Sequence, residues 1–141
     1  MREISVSKPA LKAIFEHLGG AIRGEEKLRA ILKDFYHRMS QDILIGFFFD
    51  GKDLDQIAEM QKAFLMRAMG AAPSYSGKPP AKAHDSLAPI LAGHFDRRLR
   101  ILEDTLAAHG VNAEDIRTWI EFESAFRDGI QGEEGSYVKN P

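Results

Sequence analysis

Apolar residues recur at helical spacing along most of the chain, and this periodicity is the feature that most limits how the chain can fold. Leu28, Leu32, Phe35 and Met39 are separated by steps of four, three and four, which places them on one side of a helix. No pair of segments shows the turn chemistry of a β-hairpin. The pattern therefore predicts an all-α protein.

Glycines and capping residues divide this pattern into separate helices. Gly19 and Gly20 should end a first helix, and Asp53 with Gln56 can form the capping box of a helix that stops at Gly70. Asn112 is placed to cap the last helix together with Asp115. Besides the helix that stops at Gly70, the predicted helical segments are 10–18, 25–40, 81–87, 93–109 and 113–128.

Length and composition fit one globular domain. The chain has 141 residues, 44% of them hydrophobic, which is enough to build a core. We expect the domain to cover residues 1–131 and residues 132–141 to form a flexible tail. Residues 71–80 contain three prolines and one glycine, which predicts an irregular loop.

Charge and cysteine content exclude several classes of function. With 19 basic and 21 acidic residues, the chain has no electrostatic feature that would attract nucleic acid or an anionic membrane. It contains no cysteine, which rules out disulfides, thiolate catalysis and iron–sulfur clusters. No signal-peptide stretch and no apolar run of membrane-spanning length is present, so we expect a soluble cytoplasmic protein.

Two polar residues occupy positions where a plain hydrophobic core would not need them. Gln61 lies in an apolar helical stripe between Ile57 and Phe64, and Tyr36 follows Phe35 on the apolar side of its helix. A buried amide without a partner costs roughly 1–3 kcal/mol. Each polar group could reach solvent or a backbone carbonyl. Alternatively, the two line a buried cavity whose donors stabilise a ligand with partial negative charge.

Several short motifs follow one another in a fixed order along residues 14–127. They are FEHLGG at 15–20, DFY at 34–36, FFDG at 48–51, YSG at 75–77, AH at 83–84 and HFDR at 94–97. This ordered set resembles the truncated haemoglobin family, most closely the first of its subfamilies. The resemblance implies a two-on-two helical sandwich around one haem b group.

The resemblance also implies which residues hold the haem. His84 corresponds to the proximal histidine that bonds the iron, and neutral imidazole is a good iron ligand. Phe49 corresponds to a phenylalanine that packs against the porphyrin, and Phe64 and Phe95 are further residues expected to contact the haem. His94 is then the beginning of a helix and not the ligand.

On the other face of the iron, the resemblance places a distal pocket. Tyr36 and Gln61 correspond to a distal tyrosine and glutamine, which could bond each other and still donate to bound dioxygen. Ile57 falls where many globins place a distal histidine, and it offers no nitrogen to the iron. Met60 could close the sixth iron position through its thioether, although a core or surface methionine is the more ordinary interpretation.

The chain departs from the family pattern at three points, one of which is Gly70-Ala71 in place of the family's second glycine pair. About four additional residues lie between Gly20 and Phe35, which predicts a longer loop between the first two helices. Arg98 stands where the family usually has valine or tryptophan facing the distal pocket, and an unpaired buried arginine would be costly. We expect a rotated helix, or an Arg98 side chain that reaches solvent, a haem propionate or a distal water.

The expected function is reversible binding of dioxygen, with carbon monoxide and nitric oxide as other ligands. Conversion of nitric oxide to nitrate would need a separate reductase, because 141 residues do not hold a reductase domain as well. The alternative is a haem-free helical interaction module that keeps the fold. A peroxidase-like role ranks last, because Tyr36 and Gln61 are poor general bases.

Overall fold

Five α-helices and one short 3₁₀ helix make up the part of the chain that the structure describes. The computed structural model describes residues 6–71 and 92–125. The elements are α1 (Lys8–Leu18), α2 (Gly20–Ser40), the 3₁₀ helix (Gly46–Phe49), α3 (Leu54–Ala68), α4 (Ala92–Ala108) and α5 (Ala113–Ser124). The all-α prediction is confirmed for these residues. None of these helices is long and apolar enough to cross a membrane.

Several sequence predictions concern residues beyond these ranges. Of the predicted loop 71–80, only Ala71 is described. The predicted helical segment 81–87, with His84, lies outside the described residues, and so does the predicted tail 132–141.

Side-chain caps define the beginnings of α3 and α5. Asp53 accepts a hydrogen bond from the Gln56 amide at 3.1 Å, and Asn112 accepts one from the Asp115 amide at 2.8 Å. Each bond satisfies an amide that has no partner within the helix. Both predicted caps are confirmed.

Helix α2 begins directly after α1, so the prediction of a long first loop is wrong. Gly19 and Gly20 turn the chain, with φ values of +131° and +60° that favour glycine. The additional residues before Phe35 are helical and lengthen α2 at its N-terminal end, since no proline interrupts them. Gly24 allows α1 and α2 to approach closely, because a Cβ there would lie 2.6 Å from the Phe15 ring.

Helix α2 is central to the fold and lies against α1, α3 and α4. The predicted stripe on α2 is confirmed, because Leu28, Leu32, Phe35 and Met39 are each at most 1% exposed. Helices α4 and α5 pack on each other. The main residues that these two helices add to the core are Phe95, Leu102, Leu106, Trp119 and Phe122.

Two histidines join helices through hydrogen bonds to carboxylates. Nδ1 of His17 in α1 lies 2.7 Å from Oδ2 of Asp115 in α5. Nε2 of His109, directly after α4, lies 2.9 Å from Oδ2 of Asp34 in α2. A third histidine, His37, is exposed on α2, as the sequence predicts.

Candidate functional site

Helix α3 has two stripes of side chains that differ in how deeply they are buried. Ala58 and Leu65 belong to the core and are at most 1% exposed. A second stripe of half-buried residues includes Ile57, Met60, Gln61 and Phe64. The predicted stripe through Gln61 is therefore the half-buried face of α3 and not its core face. The sequence pattern alone could not show which stripe faces the core, because the core stripe contains a charged residue, Lys62.

Two half-buried phenylalanines are fixed by other aromatic rings. Phe64 stacks on Phe122 of α5, with ring centroids 6.3 Å apart and planes 25° apart. Phe49, at the end of the 3₁₀ helix, packs edge-on against Tyr36 of α2 at 6.0 Å. Phe95, by contrast, has no exposed surface. Phe49 and Phe64 thus keep accessible apolar surface.

Tyr36 is buried in α2, with only 3% of the residue exposed. Burial raises the pKa of Tyr36 above its ordinary value, and the nearby Arg98 guanidinium lowers it again in part. The hydroxyl therefore keeps its proton at neutral pH and can act as a hydrogen-bond donor.

Arg98 of α4 is buried in an ion pair, so the expectation that it reaches solvent is wrong. Its Nη1 donates to Oε1 of Glu123 in α5 at 2.9 Å, and the two residues are 6% and 4% exposed. Its guanidinium also lies over the rings of Phe35 and Phe95, at 5.1 Å and 5.9 Å from their centroids. A buried carboxylate and two aromatic faces compensate the charge that would otherwise be costly.

The positive charge of the Arg98 guanidinium also acts on the Tyr36 hydroxyl and lowers its pKa. Burial alone would lower the pKa of Arg98, but its interactions with Glu123 and Tyr36 raise it, so Arg98 stays charged. The expected hydrogen bond between Tyr36 and Gln61 stays a prediction. We call Tyr36, Arg98 and Glu123 the Tyr36 cluster; it joins α2, α4 and α5.

Asp42 anchors the segment that leads to Phe49. Its Oδ1 accepts hydrogen bonds from the amides of Leu44 and Ile45 at 2.8 Å and 3.2 Å. Its Oδ2 accepts one from Nε of Arg97 in α4 at 2.9 Å. The Arg97 guanidinium holds the pKa of Asp42 below its usual range. This contact ties the 3₁₀ helix that carries Phe49 to α4.

His94 packs against the same 3₁₀ helix. Its ring lies edge-to-face with Phe48 at 5.2 Å and with Phe47 at 6.0 Å. Because it is the third residue of α4, its predicted place at the beginning of a helix is confirmed.

A buried lysine fixes the rotation of α3 relative to α2. The Lys62 side chain is 8% exposed, and its Nζ hydrogen-bonds Glu25 of α2 and lies 3.3 Å from Glu59. Nε of Arg29 in α2 donates to Oε2 of Glu59 at 2.6 Å. These pairs set the direction in which the half-buried face of α3, with Gln61, points.

Sequence reasoning missed Glu123, although a signal for it exists. Arg98 follows Phe95 by three residues, and Glu123 follows Trp119 by four, so each charge lies on the buried side of its helix. Two opposite charges on apolar helix faces indicate a buried ion pair. Their distance from each other could only come from the packing of α4 on α5.

Comparisons with known proteins agree with this fold. A sequence model of the bacterial-like globin family matches residues 13–131. A group 1 truncated hemoglobin of Chlamydomonas moewusii is 36% identical over 105 residues, which are 74% of this chain and 59% of that longer protein. A group 1 truncated hemoglobin of Tetrahymena pyriformis is 31% identical over 106 residues, covering 75% of this chain and 82% of the relative.

A solved structure gives the same result in three dimensions. The crystal structure of a single-substitution variant of the Tetrahymena pyriformis truncated hemoglobin, in its Fe(III) form, matches with a TM-score of 0.73 at 27% identity. The match covers 85% of this chain and 98% of that chain. The predicted truncated globin fold is confirmed. Family match, sequence relatives and fold agree that the chain belongs to the group 1 truncated haemoglobins, which are haem globins.

Proposed function

We propose that the protein binds haem b and through it binds dioxygen reversibly. The observation that carries this proposal is the half-buried apolar face of α3, together with a buried hydroxyl donor on Tyr36 beside Phe49. Haem iron supplies the position at which a diatomic gas can bind and leave. The chain supplies an apolar contact surface, the iron ligand and the hydrogen-bond donors.

The side chains near α3 fit a flat and largely apolar prosthetic group. Ile57, Phe64 and Phe49 are half-buried and would lose further accessible surface against a porphyrin. Phe95 would support this pocket from the core. Contacts of this kind exclude water from the haem and keep the environment of the gas ligand apolar.

We assign the iron ligand to His84. Of the four described histidines, His17 and His109 bond carboxylates and His37 is exposed. His94 packs against the rings of the 3₁₀ helix, and its buried Nδ1 has no hydrogen-bond partner among the described residues. This distribution supports the position that the resemblance gives to His84.

We assign the distal donors to Tyr36 and Gln61. Tyr36 is buried and protonated, and Gln61 lies on the same half-buried face as Ile57, which has no group that could bind iron. Bound dioxygen carries more negative charge than bound carbon monoxide, so donors slow the release of dioxygen more. A role for Met60 at the sixth iron position stays a prediction.

Nitric oxide is a second proposed ligand, and its conversion to nitrate in the cytoplasm is a proposed activity. One molecule of nitric oxide, one of dioxygen and one electron give one nitrate ion, so the reaction needs a separate reductase as the electron donor. Phe64 stacked on Phe122 offers the apolar surface along which a small uncharged gas can approach.

An absorption titration of the purified chain with haemin tests the haem proposal. We expect a saturating one-to-one shift of the Soret band, and a carbon monoxide adduct after reduction. His84→Ala should lose the native ligation, because it removes the proposed iron ligand. The matched control, His37→Ala, alters an exposed histidine and should keep it.

The opposite result would be a helical chain, as judged by circular dichroism, that takes up haemin without saturation. That outcome would contradict gas binding and support the haem-free interaction module.

A further inference from the structure

The stack of Phe64 on Phe122 connects the half-buried face of α3 to α5. Phe122 is 4% exposed and belongs to the core, whereas Phe64 keeps accessible surface. Helix α5 packs on α4 and α1, and α3 packs on α2 and α1. The position of the Phe122 ring against Phe64 therefore depends on how α5 is oriented on α4 and α1.

Helix α5 is anchored near both of its ends by a buried carboxylate. At its beginning, Oδ2 of Asp115 lies 2.7 Å from Nδ1 of His17 in α1. In its last turn, Oε1 of Glu123 accepts a hydrogen bond from Nη1 of Arg98 in α4 at 2.9 Å. The two carboxylates are about 12 Å apart along the helix axis. The pair of Arg98 with Glu123 is thus the anchor next to Phe122.

This ion pair is suited to fix the rotation of α5. Apolar contacts have no preferred direction, whereas a charge-assisted hydrogen bond holds two atoms at one distance and angle. Glu123 directly follows Phe122, so the two side chains turn together when the helix rotates. Arg98 is itself held over the rings of Phe35 and Phe95, at 5.1 Å and 5.9 Å from their centroids, so its guanidinium does not follow a rotation of α5.

We infer that Arg98 and Glu123 of the Tyr36 cluster are positioning residues for the Phe64 ring. Their ion pair fixes Phe122, and Phe122 holds Phe64 in its place on the half-buried face of α3. Without the pair, the Phe64 ring should move more freely. The consequence for the apolar surface along which a gas ligand approaches rests on the proposed function.

The test replaces the pair by two apolar side chains, Arg98→Met together with Glu123→Leu. Removing one partner alone would leave a buried charge, whereas replacing both charges often preserves the fold. Phe122→Leu removes the stacking ring and shows the behaviour of a released Phe64. Circular dichroism and thermal melting check that each variant is folded.

The matched control is His17→Ala, which breaks the other anchor of α5. It leaves Phe122 beside an intact pair of Arg98 with Glu123, and Asp115 keeps its hydrogen bond from Nδ2 of Asn112. This variant should lower the melting temperature without affecting Phe64, which separates positioning from a general loss of stability.

Fluorine-19 NMR of the full-length chain labelled with para-fluorophenylalanine reports on the Phe64 ring without haem. The resonance that disappears in Phe64→Leu belongs to Phe64, and the ring current of Phe122 contributes to its position. We expect this resonance to move in the combined variant toward its position in Phe122→Leu, and to stay unchanged in His17→Ala. In the Phe122→Leu background the combined variant should move it no further, because the ring through which the pair acts is gone.

Carbon monoxide kinetics of the haem-loaded chain test the consequence for gas entry. In the combined variant, a freer Phe64 ring should speed association and dissociation by the same factor, about threefold, the size of one lost aromatic contact. The equilibrium affinity should stay the same, because the path changes and the bound state does not. A changed affinity with an unchanged association rate would contradict the role in gas entry.

Two results would overturn the positioning: a Phe64 resonance that does not move in the folded combined variant, or one that moves as far in His17→Ala. If the combined variant does not fold, Glu123→Asp keeps both charges and shortens the anchor, so an unmoved resonance there would overturn it as well. Failure of the proposed function looks different. The normal chain would then bind no carbon monoxide while the Phe64 resonance still responded to the ion pair.

Discussion

At the scale of single residues, Tyr36 and Gln61 differ in burial although both are proposed to donate to the same ligand. Tyr36 is 3% exposed, whereas Gln61 is half-buried. A hydrogen bond in a dry environment is stronger than one that competes with water. Tyr36 should therefore contribute more to the retention of dioxygen.

Substituting these two donors tests their proposed roles. Tyr36→Phe keeps the ring against Phe49 and removes only the hydroxyl, so we expect dioxygen release to accelerate about tenfold. Gln61→Leu should accelerate it less. Stopped-flow displacement of dioxygen by carbon monoxide measures both rates, and unchanged rates would remove the residue concerned from the distal role.

Arg98 shows what a single residue can and cannot reveal before the structure is known. The resemblance places Arg98 where the family usually has valine or tryptophan, so a buried Arg98 would need a partner. Its burial could not be predicted, because the compensating carboxylate of Glu123 comes from another helix, 25 residues further along the chain. Local pattern identifies a residue that needs a partner, and only tertiary packing supplies the partner.

At the scale of helices, the predictions that rest on residues close together in the sequence are confirmed. The caps at Asp53 and Asn112 and the stripe on α2 depend on residues three or four apart, and the structure has them as expected. The predicted beginning of α2 is residue 25. The helix instead begins at Gly20, and Gly24 in its additional turn leaves room for the Phe15 ring.

This contact gives a prediction for the packing of α1 on α2. Gly24→Ala would place a methyl group 2.6 Å from the Phe15 ring, so we expect a loss of about 1–3 kcal/mol in the free energy of unfolding. Gly93→Ala near the beginning of α4 is the matched control, because no described residue lies within 4 Å of its added Cβ, and it should change the free energy of unfolding by less than about 1 kcal/mol. Urea denaturation measures both values, and equal stabilities would contradict the close contact.

At the scale of the whole molecule, carboxylates paired with cations connect stability to pH. Lys62 lowers the pKa of Glu25, Arg29 lowers that of Glu59, and Arg97 lowers that of Asp42. A carboxyl whose pKa is lower in the folded state stabilises folding fully above its unfolded pKa, near about 4. That contribution is lost as the pH falls through the folded-state pKa.

We therefore expect the free energy of unfolding to decrease progressively below about pH 5. Asp42→Asn should cost about 1 kcal/mol at pH 7, because the amide still accepts from Leu44 and Ile45 but loses the charge facing Arg97. The difference in the free energy of unfolding between Asp42→Asn and the normal chain should become smaller as the pH falls. Glu103→Gln, an exposed change on α4, is the control, and a difference for Asp42→Asn that stays constant with pH would contradict the assignment.

The two stripes of α3 restrict how this helix can vary in length. Lys62 is held by Glu25 on one stripe, while Gln61 and Phe64 lie on the other. One inserted residue would turn every later side chain by about 100° around the helix axis. An insertion before Lys62 would thus break the charge pairs and redirect the half-buried face in a single step. Substitutions can alter either stripe alone, whereas a change in length alters both, so variation in α3 should occur by substitution at fixed length.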